Sequence, residues 1–402
     1  MKKTAFALVF VLSLAFSFLA AGILVQTAEL QFLPTVYVRP DGSVDGTNKI
    51  QREGDVYTFA DDLFVNIVVE NDNIIIDGNG FKLQGTGFGV GNDPGIGIDL
   101  SYAGNASFTV GNVTVRNLSI QNFTTGILAG GNNLISGDTI IGNLVGINLN
   151  GDDCHIYRNR IIDNDIAISS NGRNVIYGNT MTDNDCGIQG TSRYSPIIGN
   201  NISNTGSDAI VFSYSNNNTI SQNTITNSGR AAIYFIYCWD NDISENNIME
   251  NDRGIDFFFD GTASYNNTIV SNNFVNNGVQ VLNGNVSVNT WDKGTSGNYW
   301  SDYQTKYPHA KEIGSTGMGD TAYIINAENK DNYPLIKPIA NNNPPLPTPS
   351  PNPTPTPSPT PEPEPFPAAL VIAAVVLVAV ATIAVIVVVC AGLLVYFKKR
   401  KR

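Results

Sequence analysis

Ile156-Tyr157-Arg158-Asn159-Arg160-Ile161-Ile162-Asp163-Asn164-Asp165-Ile166-Ala167-Ile168 returns 20 residues later as Ile176-Tyr177-Gly178-Asn179-Thr180-Met181-Thr182-Asp183-Asn184-Asp185-Cys186-Gly187-Ile188. Outward from this pair, the same phrase runs from Asn117 to Asn276. A first polar column reads Asn117, Asp138, Asn159, Asn179, Asn200, Asn223, Asn246 and Asn272. A second reads Asn122, Asn143, Asn164, Asn184, Asn204, Asn227, Asn251 and Asn276. After each second-column residue comes a small one (Gly126, Gly146, Ala167, Gly187, Ala209, Ala232, Gly254, Gly278) and then an apolar one, from Ile127 to Val279. Ahead of the first column stand Ile135, Ile156, Ile176, Ile197, Ile220, Ile243 and Ile269. Self-similarity at a near-fixed period of this length is the mark of a solenoid.

Each repeat holds three short β-rich runs divided by Asn, Gly, Asp and Ser, and no window carries the apolar spacing of an amphipathic helix. Three strands per repeat predict an all-β fold, a parallel β-helix whose coils stack at about 4.8 Å and bury their inward residues as ladders. Asn suits the corners because it tolerates the left-handed backbone region and its amide can bond along the stack. The Asn columns therefore read as structural. Asn117-Leu118-Ser119 and Asn201-Ile202-Ser203 fit the N-glycosylation pattern, but a laddered Asn has no room for a glycan; Asn105, Asn217, Asn266 and Asn285 are better placed.

The ends point to an exported, membrane-held protein. Residues 1–28, with Lys2-Lys3 before an apolar run, read as a signal peptide. The repeats span 29–286 and a capping region 287–340, followed by a Pro-rich stalk at 341–367 that predicts extended polyproline structure. Residues 368–397 are apolar and long enough for one C-terminal transmembrane helix, and the basic residues 398–402 behind them stay cytoplasmic by the positive-inside rule. The bulk of the chain then lies at the cell surface.

The formal net charge is −12, and leaving out the seven basic residues at the two ends makes it −19. That sign disfavours a nucleic-acid partner. Cys154, Cys186 and Cys238 fall in different repeats, too far apart to pair, and read as small buried residues.

Past the last repeat come Trp291-Asp292-Lys293-Gly294, Gly297-Asn298-Tyr299-Trp300-Ser301-Asp302-Tyr303, Gly319-Asp320-Thr321-Ala322-Tyr323 and Asp331-Asn332-Tyr333-Pro334-Leu335. This resembles the C-terminal cap of NosD-like, right-handed parallel β-helix surface proteins of archaea, with Ala322 in place of the usual Pro. Tyr37-Val38-Arg39-Pro40-Asp41-Gly42-Ser43 and Ile76-Asp77-Gly78-Asn79-Gly80 are similar to the start of that group. The resemblance implies a right-handed coil and a domain class described as carbohydrate-binding or sugar-hydrolysing. It does not settle activity, because one scaffold hosts many functions. Trp291, Tyr299, Trp300 and Tyr303 read as cap core, since an aromatic segment can cover the open edge of the last coil.

The NosD name is tied to copper delivery, but copper sites need clustered His, Cys or Met. His155 and His309 are far apart and Met181, Met249 and Met318 are scattered, so a copper accessory role stands last. Two constellations hold more promise. Asp163 and Asp165 stack on Asp183 and Asp185 one repeat later; with Asn164 and Asn184 inward, the four carboxylates project outward within about 5 Å per rung. Such a cluster is a solvated corner bridged by Arg158, Arg160 or Arg173, a cation site suited to Ca2+, or a catalytic carboxylate pair of a polysaccharide lyase or glycoside hydrolase. In the second, Phe212, Phe235 and Phe257 should stack inside as an aromatic ladder, leaving Tyr234, Asp256, Ile236 and Phe258 outside beside Asp208, Arg230 and Arg253. That surface suits stacking on a sugar ring, or is covered by a neighbouring loop. The expected function is binding of a polysaccharide or other cell-envelope glycan at the cell surface, with turnover as the alternative.

Overall fold

The computed structural model describes residues 31–87, 92–93, 95–101, 110–258, 264–283 and 288–340. The segments read as signal peptide, stalk, transmembrane helix and cytoplasmic tail lie outside these, and no helix among the described residues is long and apolar enough to cross a membrane. The described chain winds into a parallel β-solenoid of three sheets, with twelve, eleven and ten strands. In one coil, Leu134–Ser136 joins the eleven-stranded sheet, Thr139–Ile141 the ten-stranded sheet and Val145–Leu149 the twelve-stranded sheet. The next coil repeats this as His155–Tyr157, Arg160–Ile162 and Ile166–Ser170, pairing Ile135 with Ile156, Ile140 with Ile161 and Ile147 with Ile168. Parallel, in-register pairing sets like residues over like, so each apolar column becomes a continuous buried ridge. Ile135, Ile156, Ile176, Ile197, Ile220, Ile243 and Ile269 are all fully buried, as are Ile127 to Ile255 of the column behind the small residues. Each such side chain contributes about 1.5–3 kcal/mol.

The small-residue column answers a close approach of backbones. A Cβ added at Gly126 would lie 2.5 Å from the Gly146 carbonyl oxygen, and one at Gly146 would lie 2.6 Å from that of Ala167. The pattern ends a coil earlier than the sequence predicts. Ile255 pairs with Val281, so Gln280 and Val281 occupy the places expected for Gly278 and Val279, and Val279 is 44% exposed.

The corners correct a second expectation, that one Asn both adopts the left-handed conformation and bonds along the stack. The two tasks fall to adjacent residues. The first, exposed residue takes positive φ: Arg158 (56°), Asp163 (55°), Asp183 (58°), Asn204 (55°) and Asn227 (55°) are examples. The second turns inward and accepts the backbone N–H of its counterpart one coil back. Thus Asn159 N donates to Asn179 Oδ1 at 3.0 Å, Asn179 N to Asn200 Oδ1 at 3.0 Å, and Asn200 N to Asn223 Oδ1 at 2.9 Å. Each inward amide also donates to a core strand's carbonyl, as Asn179 Nδ2 does to Ile156 O at 2.9 Å. Asn117, Asn122, Asn204, Asn227 and Asn276 are therefore corner residues with positive φ, and the inward places beside them belong to Leu118, Phe123, Thr205, Ser228 and Asn277. Asn117 and Asn201 are exposed, outside the ladders that were expected to bar them from glycosylation.

A third ladder stands at the corner between the twelve- and eleven-stranded sheets: Asn133, Cys154, Asn174, Ser195, Asn218, Asn241, Asn267 and Asn289. Cys154 and Ser195 break its Asn rhythm, which hides it in the sequence.

Both ends of the solenoid are closed. At the N-terminal end an antiparallel pairing of Tyr37–Val38 with Val44–Asp45 edges the twelve-stranded sheet, and the antiparallel hairpin Ile50–Glu53/Val56–Phe59 edges the eleven-stranded one. At the other end Tyr299–Trp300 adds a last strand to the ten-stranded sheet and stacks the Trp300 ring on Phe274, with centroids 4.5 Å apart. Tyr323 covers the other face of Trp300 at 4.2 Å. Trp291, Trp300 and Tyr303 are buried as cap core, while Tyr299 is half-buried. Two ladders end in the cap on neighbouring residues. Asn289 N and Trp291 Nε1 donate to Asn329 Oδ1, and Asn298 N and Trp300 Nε1 donate to Asp331 Oδ2.

Candidate functional site

Asp163 and Asp183 sit at left-handed corners, with Asp165 and Asp185 just past the inward Asn164 and Asn184. Together with Asn204 and Gly206 the four carboxylates line a shallow depression of about 350 Å3. Asn164 Nδ2 donates to Asn184 Oδ1 at 2.9 Å, so the inward orientation expected of both residues holds. Arg173 does not reach this corner: it forms an ion pair with Asp153 at 2.7 Å on another one. Among the described residues no ion pair involves any of the four aspartates, and no group of three or more His, Cys, Asp or Glu is placed to hold a metal ion. The outward side chains bond along the axis instead, with Asn204 Nδ2 donating to Asp183 Oδ1 at 3.1 Å.

The second constellation comes together on the outer face of the twelve-stranded sheet. Strand alternation turns Phe212, Phe235 and Phe257 inward, all buried, with Phe235 and Phe257 edge-to-face at 5.9 Å. Tyr234 is then outward and half-buried, paired across the sheet with Val211 on one side and Asp256 on the other. Asp256 faces outward as expected, yet it is buried, because Arg253 covers it and donates from Nη1 to Oδ2 at 2.6 Å. Asp208 is buried in the same way: Arg230 lies 2.9 Å away and the Ala231 N–H donates to Oδ1 at 3.0 Å. Burial raises the Asp208 carboxyl above its ordinary range against the pull of Arg230. The Arg230 guanidinium also lies over the Tyr234 ring at 3.8 Å. Phe258 meets Tyr234 edge-on at 6.4 Å.

The aromatic surface extends beyond the residues picked out from sequence. Tyr237 packs edge-on to Phe258 at 5.7 Å and against Tyr214 at 5.0 Å, so Tyr214, Tyr237 and Phe258 form a stripe with one ring per coil. Across the next corner Trp239 stacks on Tyr265 at 6.4 Å. Tyr194, Tyr214 and Tyr265 are each more than half exposed. A cue for these rings is present: they crowd where the repeat lengthens and extra residues bulge at one corner. Sequence reading also missed a cavity of about 550 Å3 between the last coil and the cap, lined by Gln280, Asp302, Thr305, Lys306, Tyr323 and Ile324. There Tyr323 donates to Asp302 at 3.0 Å, and burial lowers the Lys306 ammonium below its ordinary value.

Of the glycosylation candidates, Asn217 and Asn266 are exposed at left-handed corners, while Asn105 and Asn285 lie outside the described residues. Cys154, Cys186 and Cys238 are buried and unpaired, and burial pushes the thiols of Cys186 and Cys238 up to about 12.

A model of the family described as periplasmic copper-binding protein (NosD) matches residues 166–305. No curated protein matches the chain. Among solved structures, the periplasmic alginate epimerase AlgG is similar at 16% identity and a TM-score of 0.48, over 64% of this chain and 65% of that one. A point mutant of that epimerase gives 14% and 0.47, over 63% and 82%. A mutant tailspike protein of E. coli bacteriophage HK620, in complex with a pentasaccharide, gives 11% and 0.40, over 58% and 48%. The copper in the family description finds no ligand set among the described residues: His155 and His309 are exposed on separate parts of the chain, Met181 is core, and the buried thiols resist ionisation. The repeat, its stacked coils and the aromatic cap agree, and the chain is a parallel β-helix protein whose residues 166–305 are similar to the NosD family.

Proposed function

We propose that this is a glycan-binding protein of the cell surface, held by its C-terminal apolar segment and projected on the Pro-rich stalk. The observation that carries the reading is the row of aromatic rings from successive coils, Tyr214, Tyr237 and Phe258 with Tyr234 beside them, bordered by the Asp208–Arg230 and Asp256–Arg253 pairs. Aromatic faces take the apolar face of a sugar ring, and neighbouring fixed polar groups orient its hydroxyls. Paired and packed side chains hold this surface in place before any ligand arrives, which lowers the entropic cost of binding. A glycan array probed with the full-length protein tests the proposal. The double variant Tyr234→Ala, Phe258→Ala should lose at least about tenfold in affinity, and binding unchanged by it would overturn the site.

A second reading is supported by Asp208, a carboxyl raised chiefly by burial and in smaller part by the charge of Asp256 two coils on. A pair of carboxyls is the usual equipment for acid–base work on a glycosidic bond. Release of reducing ends or unsaturated sugars from a polysaccharide, abolished by Asp208→Asn, would move the assignment from binding to turnover.

A further inference from the structure

The aromatic patch stands at one end of a longer row. Register along the twelve-stranded sheet places Asn148 beside Ser169, Ser169 beside Gln189, Gln189 beside Val211, and Val211 beside Tyr234. All five side chains are half-buried and on the outer face, one per coil. At about 4.8 Å per rung the four steps from Asn148 to Tyr234 cover roughly 19 Å, room for several sugar units end to end. Asn148 Oδ1 is buried, so the row offers the rest of that amide, the Ser169 hydroxyl and the Gln189 amide as hydrogen-bonding groups, then Val211 and the Tyr234 ring, with Asp256 the first charge met beyond them.

The charges around the row also bear on what it can hold. Both guanidiniums are engaged, Arg230 by Asp208, and Arg253 by Asp256 at 2.6 Å and Asp252 at 3.5 Å. Three carboxylates against two guanidiniums leave this end of the face net negative. The corner flanking the middle of the row carries Asp163, Asp165, Asp183 and Asp185, with no ion pair to any of them among the described residues. A polymer of uronic acids would set its carboxylates against this field and would have to break an existing pair to reach a cation.

We infer that the outer face of the twelve-stranded sheet, from Asn148 through Ser169 and Gln189 to Tyr234, is a binding track for an uncharged polysaccharide lying along the solenoid axis. This rests on the glycan-binding reading and adds to it the ligand's class and direction. The test is calorimetry and affinity electrophoresis of the full-length protein with two neutral polymers, laminarin and galactomannan, and two uronate polymers, alginate and polygalacturonate. The expected result is binding to a neutral polymer and none to the uronates. Ser169→Trp, which fills the middle of the track on the solvent side, should then weaken binding about tenfold, and Gln189→Ala should weaken it by a smaller factor. Circular dichroism identical to that of the wild type would confirm that both variants are folded. Preference for a uronate polymer overturns the neutral class while leaving glycan binding in place. Binding sensitive to Tyr234→Ala but indifferent to Ser169→Trp overturns the axial track. Binding to none of the four overturns the glycan reading and the track together.

Discussion

Asp138 occupies a place that Asn fills in the coils beyond it. It is fully buried in the first ladder and accepts the Leu118 N–H at 2.9 Å, but its Oδ2 has no partner among the described residues. In the same ladder Asn159 directs Nδ2 to Ile135 O at 3.0 Å. Burial raises the Asp138 carboxyl to about 8, so at neutral pH it is held protonated and can imitate an amide by donating. With the folded value above the unfolded one, the stabilisation is complete below the unfolded value of about 4 and is lost as pH rises through about 8. Asp138→Asn should therefore raise stability at pH 8 by about 1–3 kcal/mol and flatten its decline between pH 5 and 8, read by urea unfolding at both pH values. The split between corner and inward residue gives a second contrast. Asn184→Ala orphans the Asn164 N–H and should cost about 2–3 kcal/mol, whereas Asn204→Gly keeps the left-handed corner and should cost under about 0.5 kcal/mol. Equal losses in chemical denaturation would undo the division of labour.

At the scale of strands and corners, much was legible from sequence because parallel in-register stacking repeats each choice in every coil. The apolar columns, the inward phenylalanines and the cap tryptophans could be read because each obeys a fixed period or a fixed alternation. The second Asn column slipped by one residue in several coils because Asn204-Thr205, Asn227-Ser228 and Asn276-Asn277 place Asn at the corner and another residue in the inward seat. Letters alone cannot tell a left-handed Asn from a laddered one; φ can. The candidate site was half legible. Outward Tyr234 and Phe258 follow from alternation, but the burial of Asp208 and Asp256 depends on which arginine folds over which carboxylate, a contact between coils that no local pattern encodes. The rings of Tyr214 and Tyr237 escaped notice because a left-handed corner, not a strand, presents them.

For the whole molecule, the ends decide whether a stack of identical rungs stays one molecule. Asp331 accepts the Asn298 and Tyr333 N–H groups and Trp300 Nε1. Asp331→Ala strands all three donors and should lower stability by about 3–5 kcal/mol, with higher oligomers appearing in size-exclusion chromatography as the bared strand edges pair. Unchanged stability and a single monomeric peak would show that the cap does not depend on this residue. Burial raises Asp331 to about 6, in the same direction as Asp138, so the two carboxyls together favour the folded solenoid at mildly acidic pH.

The last described segment bonds to the stack through Ile339, whose N–H and carbonyl both meet the Asn273 side chain, at 2.8 and 2.9 Å. A pull on the chain beyond Ala340 thus falls first on this strap, then on the cap, and only then on the coils. Parallel coils loaded from one end open like a zipper, one turn after another. Force applied at that end would be released in steps, each lengthening the chain by a single repeat and leaving the turns further along intact.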